Sequence, residues 1–179
     1  MQDWNVVVSV RQYGFWRACE LQGTLGPVSR TEFSNVLVMR VGDISGFMDA
    51  LQTLLVEHAD ARAAIGRAIP ATRTFLFQSP QQFEAGAREA VSDWLPAPER
   101  KTFQLRMHRR GFKGRLSSQT EERFLDHYLI ESLERRGTPG RIRFDDPDAV
   151  VAVETVGRRV GPSLWRRDEM QGYPFLAVD

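Results

Sequence analysis

The chain has 179 residues, 42% of them hydrophobic, a single cysteine and a formal net charge of +1. That much apolar side chain excludes a disordered polypeptide, and one cysteine excludes both an internal disulfide and a cysteine-rich metal site. The N-terminal MQDWNVVVSVR carries neither a signal peptide nor an apolar run of spanning length, so the reading is a soluble, cytoplasmic protein with no membrane partner.

WNVVVSV, residues 4–10, is short, valine-rich and bounded by polar residues, as a buried strand is. Phe15 to Leu25 reads as a helix closed by Gly26 and Pro27. A strand is expected around Val36 to Val41, in a hairpin with Val28 to Glu32. Ile44, Phe47, Met48, Leu51, Leu54 and Leu55 then fall on one face of a 3.6-residue period, with Asp43 as the cap. AIPATRTFLF, ending at Phe77, reads as a closing strand, and the resulting order, strand, helix, strand, strand, helix, strand, is ferredoxin-like.

Ser79, Pro80 and Gln82 supply an N-cap, a first-turn proline and a capping-box partner for a helix that stops before Pro96 and Pro98. Thr102 to His108 alternates apolar and polar residues, which predicts a strand with one buried face. Ser118 and Glu121 have capping-box spacing ahead of a helix to Arg136, whose packing stripe is Leu125, Leu129 and Leu133 with Phe124 and Tyr128. RIRF, the turn DDPD and AVVAVETV read as strand, turn and buried strand; VGPSLWRR and YPFLAV are expected to add one or two more. The expected fold class is therefore α+β, with a ferredoxin-like region over 1–78 and an α/β domain over 79–179.

The charge is uneven along this plan. Residues 1–99 hold eight basic and eleven acidic groups, for −3, while residues 100–179 hold sixteen and twelve, for +4. Arginine outnumbers lysine 22 to 2, which a base-rich genome explains as readily as function does. Codon bias does not, however, remove acids from RKTFQLRMHRRGFKGR, residues 100–115, where five arginines, two lysines and a histidine stand without one aspartate or glutamate. Such a run neutralises a nucleic-acid backbone and releases its counterions, and the helix N-terminus after it offers unpaired amides to a phosphate. The pairs Arg158–Arg159 and Arg166–Arg167 extend this to a composite basic surface if their strands are neighbours, and Phe112 and Trp165 are candidates for base stacking.

Catalytic chemistry has little to stand on. His58, His108 and His127 are scattered without metal-ligand spacing, and Cys19 reads as a small buried hydrophobe. GFKG, residues 111–114, has neither the span of a P-loop nor the third glycine of a dinucleotide fingerprint. Asp145, Asp146 and Asp148 around Pro147 are turn chemistry, and Glu154 has no visible acid–base partner. No catalytic residue, metal or cofactor is assigned.

FQLRMHRRGFKGRLSSQTEERFLDHYLIESL, RIRFDDPDAVVAVETV and VGPSLWRR carry a resemblance: residues from about 80 to 179 resemble a THUMP domain, an RNA-binding module of tRNA-modifying enzymes and their accessory proteins. A ferredoxin-like region before it is a habit of that family. With no catalytic domain attached, the chain resembles the stand-alone THUMP proteins that present tRNA to a separate cytidine acetyltransferase. The resemblance implies a grip on the acceptor end of tRNA by Arg109, Arg110, Lys113 and Arg115 with the start of the next helix. The RNA-binding residues expected are Arg106, Arg109, Arg110, Lys113, Arg115, Ser117, Ser118, Arg158, Arg159, Arg166 and Arg167, with tRNA and a modifying enzyme on another chain as partners. The alternatives are a small RNA-modifying enzyme in its own right and a protein-interaction module with a basic face.

Overall fold

The computed structural model describes residues 3–12 and 14–177, which divide into two compact units. The first comprises residues up to Ala71 with Gly172–Ala177, and the second Thr72–Gln171.

In the first unit the elements are β1 (Val6–Val10), α1 (Phe15–Gly23), β2 (Val28–Arg30), β3 (Val36–Met39), α2 (Ile44–Glu57), α3 (Ala59–Ala64) and β4 (Ile65–Pro70). The antiparallel sheet has the order β2-β3-β1-β4. Its most apolar strands, β1 and β3, lie centrally, and Val6, Val8, Leu37 and Met39 are almost wholly buried, as are Leu51 of α2 and Ile69 of β4. This is the expected strand and helix order, with α3 added. Asp43 stands at the N-cap of α2, but its side chain makes no capping bond. The closing strand is shorter than expected. It stops at Pro70, one residue before the Ala71 N–H makes a last bond to the Asn5 carbonyl at 2.7 Å, and Phe75–Leu76 forms a separate strand, β5, in the other sheet.

The second unit contains β5, α4 (Pro80–Ser92), β6 (Thr102–His108), α5 (Ser118–Arg135), β7 (Arg141–Ile142), β8 (Ala149–Val156), β9 (Arg159–Arg166) and the start of α6 (Arg167–Gly172). Its sheet has the order β5-β9-β8-β6-β7, with β6 parallel to β7 and β8, and β8–β9 an antiparallel hairpin. The alternation in β6 does what its period demands: Phe103, Leu105 and Met107 enter a core with Phe83, Ala87 and Val91 of α4 and Leu125, Leu129 and Leu133 of α5. Glu122 of α5 accepts the Met107 N–H at 2.7 Å, satisfying a backbone donor on an edge of the sheet. Asp148 accepts from both the N–H and the hydroxyl of Thr102 at 2.8 Å, and these bonds hold its carboxyl below the usual range.

After β9 the expected strand over YPFLAV is replaced by α6 and a 3-10 turn at Pro174–Leu176. Glu169 in the first turn of α6 accepts the Arg166 N–H at 2.8 Å, so the chain caps a helix instead of extending the ladder. Among the described residues no helix is long and apolar enough to cross a membrane.

Candidate nucleic-acid interface

The loop after β6 is built from the GFKG residues. Gly111, Phe112 and Gly114 have φ of +103°, +52° and +77°, which glycine adopts freely and phenylalanine does not. Phe112 holds its strained backbone because its ring stacks 4.5 Å from that of Phe77 in the core. Gly111 lies so close to Gly157, in the β8–β9 turn, that a Cβ on it would stand 3.2 Å from the Gly157 Cα. The Gly157 N–H donates to the Arg110 carbonyl at 2.9 Å, and the Arg110 N–H to the Thr155 hydroxyl at 2.9 Å.

Two helices begin at this end of the sheet. Ser79 caps α4 by accepting the Gln82 N–H at 3.2 Å, while the Gln82 side chain takes the Gln78 N–H at 2.8 Å. The α5 cap is Ser117, accepting from Thr120 N–H at 3.4 Å, one residue earlier than the Ser118–Glu121 box implied. The Phe77 N–H donates to the Arg158 carbonyl at 3.0 Å, and Arg115 Nη2 to the Gln78 carbonyl at 3.2 Å with its guanidinium over the Phe112 ring. Residues 77–79, 109–118 and 157–159 therefore meet.

Lys113, Arg115 and Arg158 are exposed there, and among the described residues no carboxylate lies within ion-pair distance of Lys113 or Arg158. Arg159 is half-buried and donates to the Thr74 hydroxyl at 2.7 Å; Arg109 is half-buried and donates to the Gly111 carbonyl. Ser117 is exposed and Ser118 half-buried in the first turn of α5.

Three expected members stand elsewhere. The hairpin register pairs Val156 with Arg159 and Ala149 with Arg166, so Arg166 and Arg167 are at the opposite end of β9. Seven residue steps of strand separate Arg159 from Arg166, about 23 Å at ~3.3 Å per residue. Arg167 is also spent on Asp146 and Asp148, at 3.0 and 3.1 Å. The single composite surface does not form. Arg106 sits mid-strand beside Ala152, with its guanidinium 5.7 Å from the Phe144 ring. Trp165 is buried, its indole N–H on Ser163 at 2.9 Å, and offers no stacking face.

Arg110 is a further correction, because its charge is taken by Glu154. That carboxylate is 1% exposed and lies between Arg110 and His108, whose Nδ1 is 2.9 Å away. Burial alone pushes Glu154 up, but the hydrogen bond from His108 and the Arg110 charge outweigh it and hold the carboxyl below its ordinary value. The alternation of β6 aims His108 to the face of Arg106, yet only the parallel pairing of β6 with β8 places it beside Glu154.

No family model matches the chain, and no curated protein does. Among solved structures it is similar to PH1313 from Pyrococcus horikoshii Ot3, at 13% identity and a TM-score of 0.56 over 92% of this chain and 55% of that one. TrmN from Thermus thermophilus matches at 14% identity and a TM-score of 0.59, over 90% of this chain and 44% of its own. A 4-thiouridine synthetase, solved as an RNA complex with bound ATP, matches at 13% identity and 0.52, over 92% and 42%. The fold is shared. The chain spans about half the length, or less, of these structures.

One acidic group also belongs to this end. Glu121, in the first turn of α5, is 3% exposed and is pushed up to about 7 by burial and then by the Glu84 carboxylate of α4. Its ordinary value is 4.5. Between those values the folded chain keeps a proton that the unfolded chain has released, so stability falls as pH rises through the interval. Glu121→Gln is expected to raise the melting temperature at about pH 8 and to change it little at about pH 4. Thermal melts at the two pH values check this, and an equal shift at both contradicts it. Cys19 is half-buried, not buried, and His58 and His127 are exposed. Among the described residues no group of three or more His, Cys, Asp or Glu side chains is placed to hold a metal.

Proposed function

We propose that the second unit is a THUMP-like RNA-binding module and that the chain presents the acceptor region of tRNA to an RNA-modifying enzyme on a separate chain. One observation carries the reading: the N-termini of α4 and α5 converge with Lys113, Arg115, Arg158 and Arg159 at one end of a sheet. The exposed Lys113, Arg115 and Arg158 side chains beside two helix N-termini are what a phosphate backbone binds, and the half-buried Arg159 adds charge behind them. A shared fold with a synthetase solved in complex with RNA supports it. Recognition by shape and by a single-stranded end fits a surface of phosphate ligands, which position RNA without reading its bases. The half-buried Arg109 serves the loop more than the ligand.

Gel-shift titration of intact tRNA, and of tRNA lacking its 3′ end, at two salt concentrations tests the reading. Four phosphate contacts predict that log affinity falls by about 3 per tenfold increase in salt. Tighter binding of intact tRNA is expected. Equal binding of the two removes the acceptor-end assignment, and a slope near zero removes the phosphate assignment. Incubation of the chain with tRNA and common group donors is expected to leave the RNA unmodified; turnover overturns the adaptor role.

A further inference from the structure

The first unit carries an exposed aromatic that its own core does not use. Trp16 on α1 is 70% exposed, although α1 packs inward through Ala18, which is fully buried. Arg30, at the end of the edge strand β2, lays its guanidinium 4.1 Å from the centroid of the Trp16 ring and 5.4 Å from that of Phe15. Phe15 in turn meets Trp16 edge-on at 6.0 Å. The neighbouring carboxylates are already taken, because Glu20 and Asp60 both bind Arg17, at 2.7 and 2.6 Å. Among the described residues no carboxylate lies within ion-pair distance of Arg30.

A guanidinium held over one face of an indole keeps N–H groups for an oxyanion, and the 70% exposure of Trp16 leaves room for a base on the ring. We infer that Trp16 and Arg30 form a second nucleic-acid contact, a stacking site for one unpaired nucleotide, with the base on the exposed indole and a flanking phosphate at Arg30. A duplex does not fit this chemistry, since the faces of its bases are covered by their neighbours. A single strand does, with little preference among bases. An acidic peptide satisfies Arg30 but has no use for the indole. The inference rests on the RNA-binding reading of the chain, but it concerns different residues in a different unit.

The test uses the full chain and a fluorescently labelled short oligoadenylate, with an abasic oligomer of equal length, a duplex and polyglutamate as controls. Binding is read by anisotropy. Trp16→Ala is expected to weaken oligoadenylate binding about tenfold, and Trp16→Phe, which keeps a ring, to restore most of it. The abasic oligomer is expected to bind both proteins equally. Because Trp4 and Trp165 are buried and Trp94 is half-buried against the core of the second unit, oligoadenylate is also expected to quench the intrinsic fluorescence mainly through Trp16, and Trp16→Phe is expected to abolish that quenching. Thermal melts establish that the variants are folded, which the exposure of Trp16 favours. Unchanged oligoadenylate affinity in Trp16→Ala overturns the site, as does equal quenching by the abasic oligomer or by polyglutamate. If tRNA binding by Lys113 and Arg158 persists in that event, only this site is lost and the reading of the second unit stands.

Discussion

Replacing Glu154 with alanine is expected to destabilise the second unit by about 3 kcal/mol, the loss that follows when one partner of a buried ion pair is deleted. The reason is what remains behind. Arg110 and His108 are only 13% and 19% exposed, and without Glu154 both lose the carboxylate that lies between them. Urea unfolding followed by circular dichroism measures the cost, and Glu154→Gln, which keeps the volume and one acceptor, is expected to lose less. The pH dependence separates charge from packing. Glu154 is held below its ordinary value of 4.5, so its contribution is present at neutral pH and is lost as pH falls through the lower, folded value. The stability gap between wild type and Glu154→Gln is therefore expected to narrow as pH falls below 4.5. A gap that persists unchanged into acid assigns the effect to packing instead.

Reversing two charges at the other face of the same end, Lys113→Glu with Arg158→Glu, is expected to weaken tRNA binding about a hundredfold at ~0.1 M salt and to lower the salt slope by about 1.4 to 1.8. Both side chains are exposed, so folding is expected to be unaffected. Arg166→Glu serves as the comparison, because it is equally exposed but stands at the far end of β9. Its effect on affinity is expected to be small. Gel shifts of the three proteins at two salt concentrations decide the matter, and an equal loss from Arg166→Glu refutes a binding surface confined to the Lys113 end.

The elements were legible where a period or a cap was strong. The alternation over Thr102–His108 and the apolar run Ala149–Val156 set the limits of β6 and β8, and Ser79 with Pro80 marked the start of α4. The position of Ser117 was ambiguous because two serines are adjacent, and the structure resolves it by burying Glu121 instead of letting it reach back to the cap. What local pattern does not hold is pairing. The parallel neighbourhood of β6 and β8 joins residues 46 apart and turns His108 and Glu154, which show no partner in the sequence, into one network with Arg110. The separation of Arg158–Arg159 from Arg166–Arg167 was readable in principle, since a single extended strand over 159–166 puts the two pairs at its opposite ends. The exposed Trp16 was not, because helix α1 has apolar residues on more than one side and only packing decides which are left out.

The seat of Gly111 on Gly157 sets the timing of events at this surface. Main chain rests on main chain there, so the backbone that carries the cations is set as the strands assemble. An arriving polyanion then meets a loop already formed. On the proposed reading, association is expected to quicken as ionic strength falls and to show a small heat-capacity change, because no segment of this loop has to fold.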